Sequence, residues 1–121
     1  MQIAYSDAAV PFATGPGRKP MLKAAIPLVH VRSSDEALAF YRGRLGFSVL
    51  STYRQVPDSP DPAYHVAMRD GAVIHISSFS GDGIAGGVVT IVVDDIDALH
   101  AELVGKGVDV GTGVMDQTWG N

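Results

Sequence analysis

The side chains able to do chemistry are few. The chain has four histidines, His30, His65, His75 and His100, and no cysteine. Without thiols, disulfides, thiolate zinc sites and cysteine nucleophiles are all excluded. Ser77, Ser78 and Ser80 lie close to His75, but adjacency along a strand does not build a serine–histidine–carboxylate relay. Gly81 to Gly87 is glycine-rich, yet it lacks the lysine and following helix that a phosphate-binding loop requires. His30 and His65 read as partly buried polar residues on strands, and His100 as a surface residue beside a helix's apolar stripe. Binding chemistry is better supplied. Phe47, Tyr53, Tyr64, Phe79 and Trp119 could line an aromatic cleft, and Asp58, Asp61, Asp82 and Asp116 fall in loops that could rim it. A flat cation could stack on Trp119 while carboxylates hold its charge. Taken singly, each ring serves equally well in a core, and each aspartate in a turn.

These residues must be positioned by short elements. Ala24 to Val31 is apolar and β-branched, which predicts a buried strand. Pro27 cannot donate to a ladder, so that strand should lie at an edge or bulge. Ser33-Ser-Asp-Glu36 predicts a reciprocal capping box. A helix should follow through Ala37, Leu38, Tyr41 and Leu45, closed by Gly46 in a left-handed cap. Phe47 to Tyr53 returns as a strand. Three prolines within residues 57–62 enforce a loop. Strands are expected near 63–69 and 72–79, joined by an Asp70-Gly71 hairpin turn. After Gly87 the order begins again, with a strand over 88–93, Asp94 or Asp95 as N-cap, and a helix carrying Ile96, Leu99 and Leu103. Gly107 should close that helix before a strand at Val108.

A shift of 61 positions overlays Val31 on Val92, Ser33 on Asp94, Ala37 on Ala98, Leu38 on Leu99, Gly46 on Gly107 and Val49 on Val110. This internal repeat predicts an α+β fold of tandem βαβββ units, with curved mixed sheets around a cleft. Residues 22–80 make the first unit, and 87–121 a second unit that is incomplete at the C-terminus. Residues 1–20, broken by prolines and glycines, read as an N-terminal extension or leader ahead of a domain over 21–121.

Composition narrows the setting. With 46% hydrophobic and 18% charged residues, the chain should fold as a domain rather than stay disordered. Its net charge of −4 disfavours nucleic acid as a partner. No stretch reaches the ~20 apolar residues that span a bilayer. The start lacks the basic-then-apolar pattern of a signal peptide. The absence of cysteine fits the cytoplasm.

The repeat, with its particular residues, resembles the glyoxalase/bleomycin-resistance group of the vicinal oxygen chelate superfamily, and within it the bleomycin-resistance type. The resemblance rests on Ile26-Pro-Leu-Val, Ala37-Leu-Ala-Phe-Tyr-Arg-Gly-Arg-Leu-Gly-Phe47, Arg69-Asp-Gly71, Gly87-Val-Val-Thr-Ile-Val-Val-Asp-Asp-Ile-Asp-Ala-Leu99 and Asp116-Gln-Thr-Trp-Gly120. In similar chains, residues forming the last two strands follow the Trp-Gly segment.

What the resemblance implies can be weighed against the residues present. Metal-dependent relatives place ligands at the starts of strands one and five and on strands four and eight. Here the first two positions hold Ile26 or Pro27 and Gly87 or Val88, which offer no donor. Only His75 stands near a ligand position, and one donor does not hold a divalent ion. The expectation is therefore no metal, no cofactor and no catalytic residue. The expected function is sequestration of a small molecule, a cationic, aromatic, bleomycin-like antibiotic, by a homodimer. The expected ligand-binding residues are Phe47, Tyr64, His75, Phe79, Asp116 and Trp119. The alternatives are a metal-dependent lyase, transferase or dioxygenase, or a regulatory domain with another small ligand.

Overall fold

A computed structural model describes residues 19–110 of the chain. Its elements run β1 (Leu28–His30), α1 (Ser34–Leu38), a π-helical turn (Ala39–Arg44), β2 (Ser48–Arg54), β3 (Ala63–Arg69), β4 (Ala72–Ser77) and α2 (Ile96–Gly105). The four strands form one mixed sheet in the order β1-β4-β3-β2. β1 is parallel to β4, and the other two pairings are antiparallel. The first βαβββ unit of the α+β fold is thus complete. β1 lies at the sheet edge, where Pro27 costs no donor, and the Pro27 carbonyl accepts from the His75 amide at 2.9 Å.

Local chemistry explains the first helix. The Ser33 side chain accepts from the Glu36 amide at 3.3 Å, the forward half of the capping box. The predicted regular helix then widens. Leu45 N–H bonds Phe40 C=O, five residues back, at 2.9 Å. Gly43, a poor helix former, sits in this turn. The extra residue turns Tyr41 and Leu45 toward the core. Gly46 closes the helix at φ +75°, and Phe47 N–H reaches back to Tyr41 C=O at 2.9 Å. At the hairpin, Asp70 adopts φ +51°, and Arg69 pairs with Ala72.

Strand alternation divides the sheet into two faces. Ala67, Ile74 and Ile76 point toward α1 and pack with Ala37 and Phe47. Val31, Tyr41, Leu45 and Ala72 flank this core. Tyr64, Val66, Met68, Val73 and His75 belong to the opposite, open face.

The second half follows the repeat in part. Asp95 caps α2, its carboxylate accepting from the Ala98 amide at 3.0 Å, and Gly107 ends the turn at φ +75°, as Gly46 does. The strand expected over 88–93 does not form, and neither does one at Val108–Val110. Among the described residues 88–93 finds no ladder partner, and Val88 and Val92 are 91% and 92% exposed. β-branched residues favour a strand only where a neighbouring strand supplies the ladder.

Candidate functional site

The open face gathers side chains from every strand. Register places Tyr53 beside Tyr64. It sets His75 level with Val66 and Leu28, and His30 level with Ser77. Tyr64 and His75 are diagonal neighbours, with the hydroxyl 2.5 Å from His75 Nδ1 and the rings edge-to-face at 5.3 Å. Tyr53 stacks on Phe79 at 5.9 Å with an interplanar angle of 20°. Tyr53 is 62% exposed, so this platform is open to solvent.

The loop after β4 folds over one end of this face. Ser77 donates to Asp82 Oδ2 at 2.8 Å and accepts from the Phe79 amide at 3.1 Å, which leaves Ser77 fully buried. His30 Nδ1 bonds the Asp82 carbonyl at 2.9 Å. Gly83 takes φ +75°, and a β-carbon there would lie 3.2 Å from a Leu28 methyl. The loop's close approach therefore needs glycine. Burial raises the pKa of Tyr64, and the negative charge of Asp82 adds to it. Burial lowers the pKa of His75. Both groups are neutral near pH 7, and both can hydrogen-bond.

The expected site residues separate. Tyr64, His75 and Phe79 come together around the open face. Phe47 does not join them. It is 4% exposed, edge-to-face with Tyr41 in the helix-covered core. The left-handed Gly46 turns it there, so Phe47 packs in the core and not on the open face. It also borders a second recess of about 600 Å³ between the hairpin and α2, with Pro27, Ile74, Ile91 and Leu103. Asp116 and Trp119 lie outside the described residues.

A polar network escaped sequence reading. His65 is 1% exposed, its Nε2 2.5 Å from Ser34 Oγ and its Nδ1 2.8 Å from Thr52 Oγ1. Asp61 accepts from the Ser34 amide at 3.0 Å and from Ser78 Oγ at 2.6 Å. This histidine, expected to be partly buried, is a fully buried residue with both ring nitrogens bonded, and nothing in its spacing pointed to Ser34 or Thr52. Among the described residues the donors do not fit a resident metal. Ile26, Pro27, Gly87 and Val88 supply none, and among the described residues no three acidic or histidine side chains converge. No helix of the described residues is long and apolar enough to cross a membrane.

A βαβββ unit with an open face of this kind is the architecture of the glyoxalase-like proteins. The family described as glyoxalase superfamily protein matches residues 17–121, and the chain belongs to it. No curated protein matches the chain. Among solved structures the chain is similar to SMU.1112c, at 20% identity and TM-score 0.57, covering 82% of this chain and 85% of that one. It is similar to TioX from Micromonospora sp. ML1, at 17% identity and TM-score 0.56, covering 80% and 84%. It is also similar to a member of the glyoxalase/bleomycin resistance protein/dioxygenase superfamily from Sphaerobacter thermophilus DSM 20745, at 18% identity and TM-score 0.56, covering 83% and 85%. At such identities the likeness concerns the fold.

Proposed function

We propose that this protein binds a flat aromatic small molecule on its open face and releases it unchanged. The observation that carries this reading is the stacked Tyr53–Phe79 platform beside the Tyr64–His75 pair, with the Asp82 carboxylate at the same end. Aromatic faces attract planar rings, and a carboxylate at the rim favours a cationic one. A bleomycin-type antibiotic has this chemistry, and the family's resistance-type members lend the proposal support. The donor-poor metal positions favour sequestration over the metal-dependent alternative.

The binding unit is proposed to be a homodimer. Val88, Val92 and Ile84 are exposed in a segment without a ladder, and a second copy would cover it.

Titration of the single tryptophan's fluorescence with a bleomycin-type compound tests the reading. Binding should be saturable, weakened by salt and by Tyr53→Ala or Phe79→Ala, and the compound should be recovered intact. Binding that ignores both substitutions, or a chemically altered compound, would overturn it.

A further inference from the structure

His30 and His75 stand on neighbouring strands of the open face. Each has one ring nitrogen bonded, and the other nitrogen has no partner among the described residues. The bonded partners differ in kind. The partner of His30 Nδ1 is a backbone carbonyl, that of Asp82, at 2.9 Å. A carbonyl oxygen only accepts, so Nδ1 must carry the proton. In a neutral ring Nε2 is then left as an acceptor. The partner of His75 Nδ1 is the Tyr64 hydroxyl, at 2.5 Å. A phenol is a good donor, but its oxygen lone pair is delocalised into the ring and accepts poorly. An imidazole lone pair lies in the ring plane and accepts well. Tyr64 therefore donates to Nδ1, and the proton of His75 sits on Nε2. The directions of ionisation agree, since burial holds the phenol protonated and the imidazole neutral.

We infer that the open face presents two histidines in opposite tautomers, an N–H donor at His75 Nε2 and a lone-pair acceptor at His30 Nε2, and so selects an aromatic ligand bearing a carboxamide-type edge. A carboxamide supplies C=O for His75 and N–H for His30 on one rigid plane. By register His75 stands level with Leu28 and His30 level with Ser77, so the two histidines are diagonal neighbours, roughly 7–8 Å apart at the backbone, and the ligand's amide must reach between their rings. A ketone meets only the first nitrogen, and an arylamine only the second. A site built around a bonded group rejects analogues lacking that group, because a polar atom is then left unpaired. His75 and His30 become the specificity-determining residues, and Tyr64 the positioning residue that fixes the His75 tautomer. The Asp82 loop does the same for His30. This inference rests on the reading of the open face as a small-molecule site.

Nitrogen NMR of the imidazoles in the full chain, followed by titration with three neutral probes, tests it. The probes are benzamide, acetophenone and aniline, which each carry one phenyl ring and no charge at neutral pH. His75 should be protonated at Nε2 and His30 at Nδ1. Benzamide should bind roughly fivefold more tightly than either other probe, the worth of about one neutral hydrogen bond. Tyr64→Phe should let His75 populate both tautomers and should erase most of that advantage, while strand amide resonances stay in place. If both rings carry the same tautomer, or the three probes bind this face equally, the inference falls and the site reading stands. If no probe perturbs Tyr53, Tyr64 or His75, both fall together.

Discussion

The guanidinium of Arg69 meets the carboxylate of Glu102 through two bonds, 2.7 and 2.9 Å long, and so ties the β3–β4 hairpin to helix α2. Arg69 Nη1 also donates to the Leu45 carbonyl at 2.9 Å, where the π-helical turn ends. One planar fork thus joins the first unit to the second. The pairing lowers the pKa of Glu102. The pair is partly exposed, so salt should screen it. Glu102→Gln should speed amide hydrogen exchange in α2 while leaving β3 and β4 protected, and high salt should narrow the difference from the parent. Arg69→Lys should behave in the same direction, because an ammonium cannot make the two-point contact. Unchanged α2 exchange in both variants would show that the helix is held by other contacts.

Asp95 tests the second unit separately. Its carboxylate accepts from the Ala98 amide and satisfies a donor that the helix cannot. Asp95→Ala should cost about 1 kcal/mol, and Asp94→Ala much less, read from denaturant midpoints. The opposite ranking would place the cap one residue earlier.

Ile76 is fully buried between α1 and the sheet. Ile76→Ala should destabilise by about 2–5 kcal/mol, and Ile76→Val by about 1 kcal/mol, the difference measuring how little the small core can collapse. A loss below about 1 kcal/mol for the alanine would mean that this core contributes little to stability.

Much of the first unit was legible because its determinants are local. Ser33, Gly46 and the Asp70-Gly71 pair each act within a few residues, and each does what its chemistry predicts. The open face was legible only in part. Tyr64 and His75 share it because of strand register, which a sequence shows only as alternation. The Ser34–His65 contact spans 31 positions, and no periodicity encodes it. The run at 88–93 has strand-like residues, but composition cannot say which chain would supply the neighbouring strand. Phe47 shows the same limit: an aromatic after Leu-Gly reads alike whether Gly46 turns it into the cleft or into the core.

The buried His65 sets a pH dependence. Burial is the main cause that lowers its pKa, with Arg54 and Arg42 adding and Asp61 and Asp35 opposing. In the unfolded chain a histidine titrates near its ordinary value of about 6.5. Between that value and the lower folded one, the unfolded state binds more protons. Stability is therefore full above the unfolded pKa and falls as pH drops through the folded one. The lowered pKa of His75 acts in the same direction. Urea midpoints should decline from pH 7.5 to pH 5, and His65→Gln should flatten that decline while lowering stability at pH 7.5. A parent midpoint that rises toward pH 5 would contradict the buried neutral imidazole.

The last prediction concerns assembly. Ile84, Val88 and Val92 are among the most exposed large apolar residues of the described chain. They occupy one segment, and that segment has no ladder. Fully burying such a side chain gains about 1.5–3 kcal/mol, so three of them favour association if a partner surface fits. A second copy of the chain fits best, because a two-fold contact covers the same segment on both copies and closes on itself. Fibre formation is disfavoured by the edge chemistry, with β1 short and preceded by Pro27. Light scattering at micromolar concentration should therefore give the mass of a dimer. Val92→Asp should shift it to monomer without disturbing β1 to β4, because Val92 is almost wholly exposed within one chain. If the dimer completes the ligand site, the same variant should also lose affinity for the bleomycin-type compound. A parent chain that stays monomeric at that concentration and still binds the compound fully would show that each open face works alone.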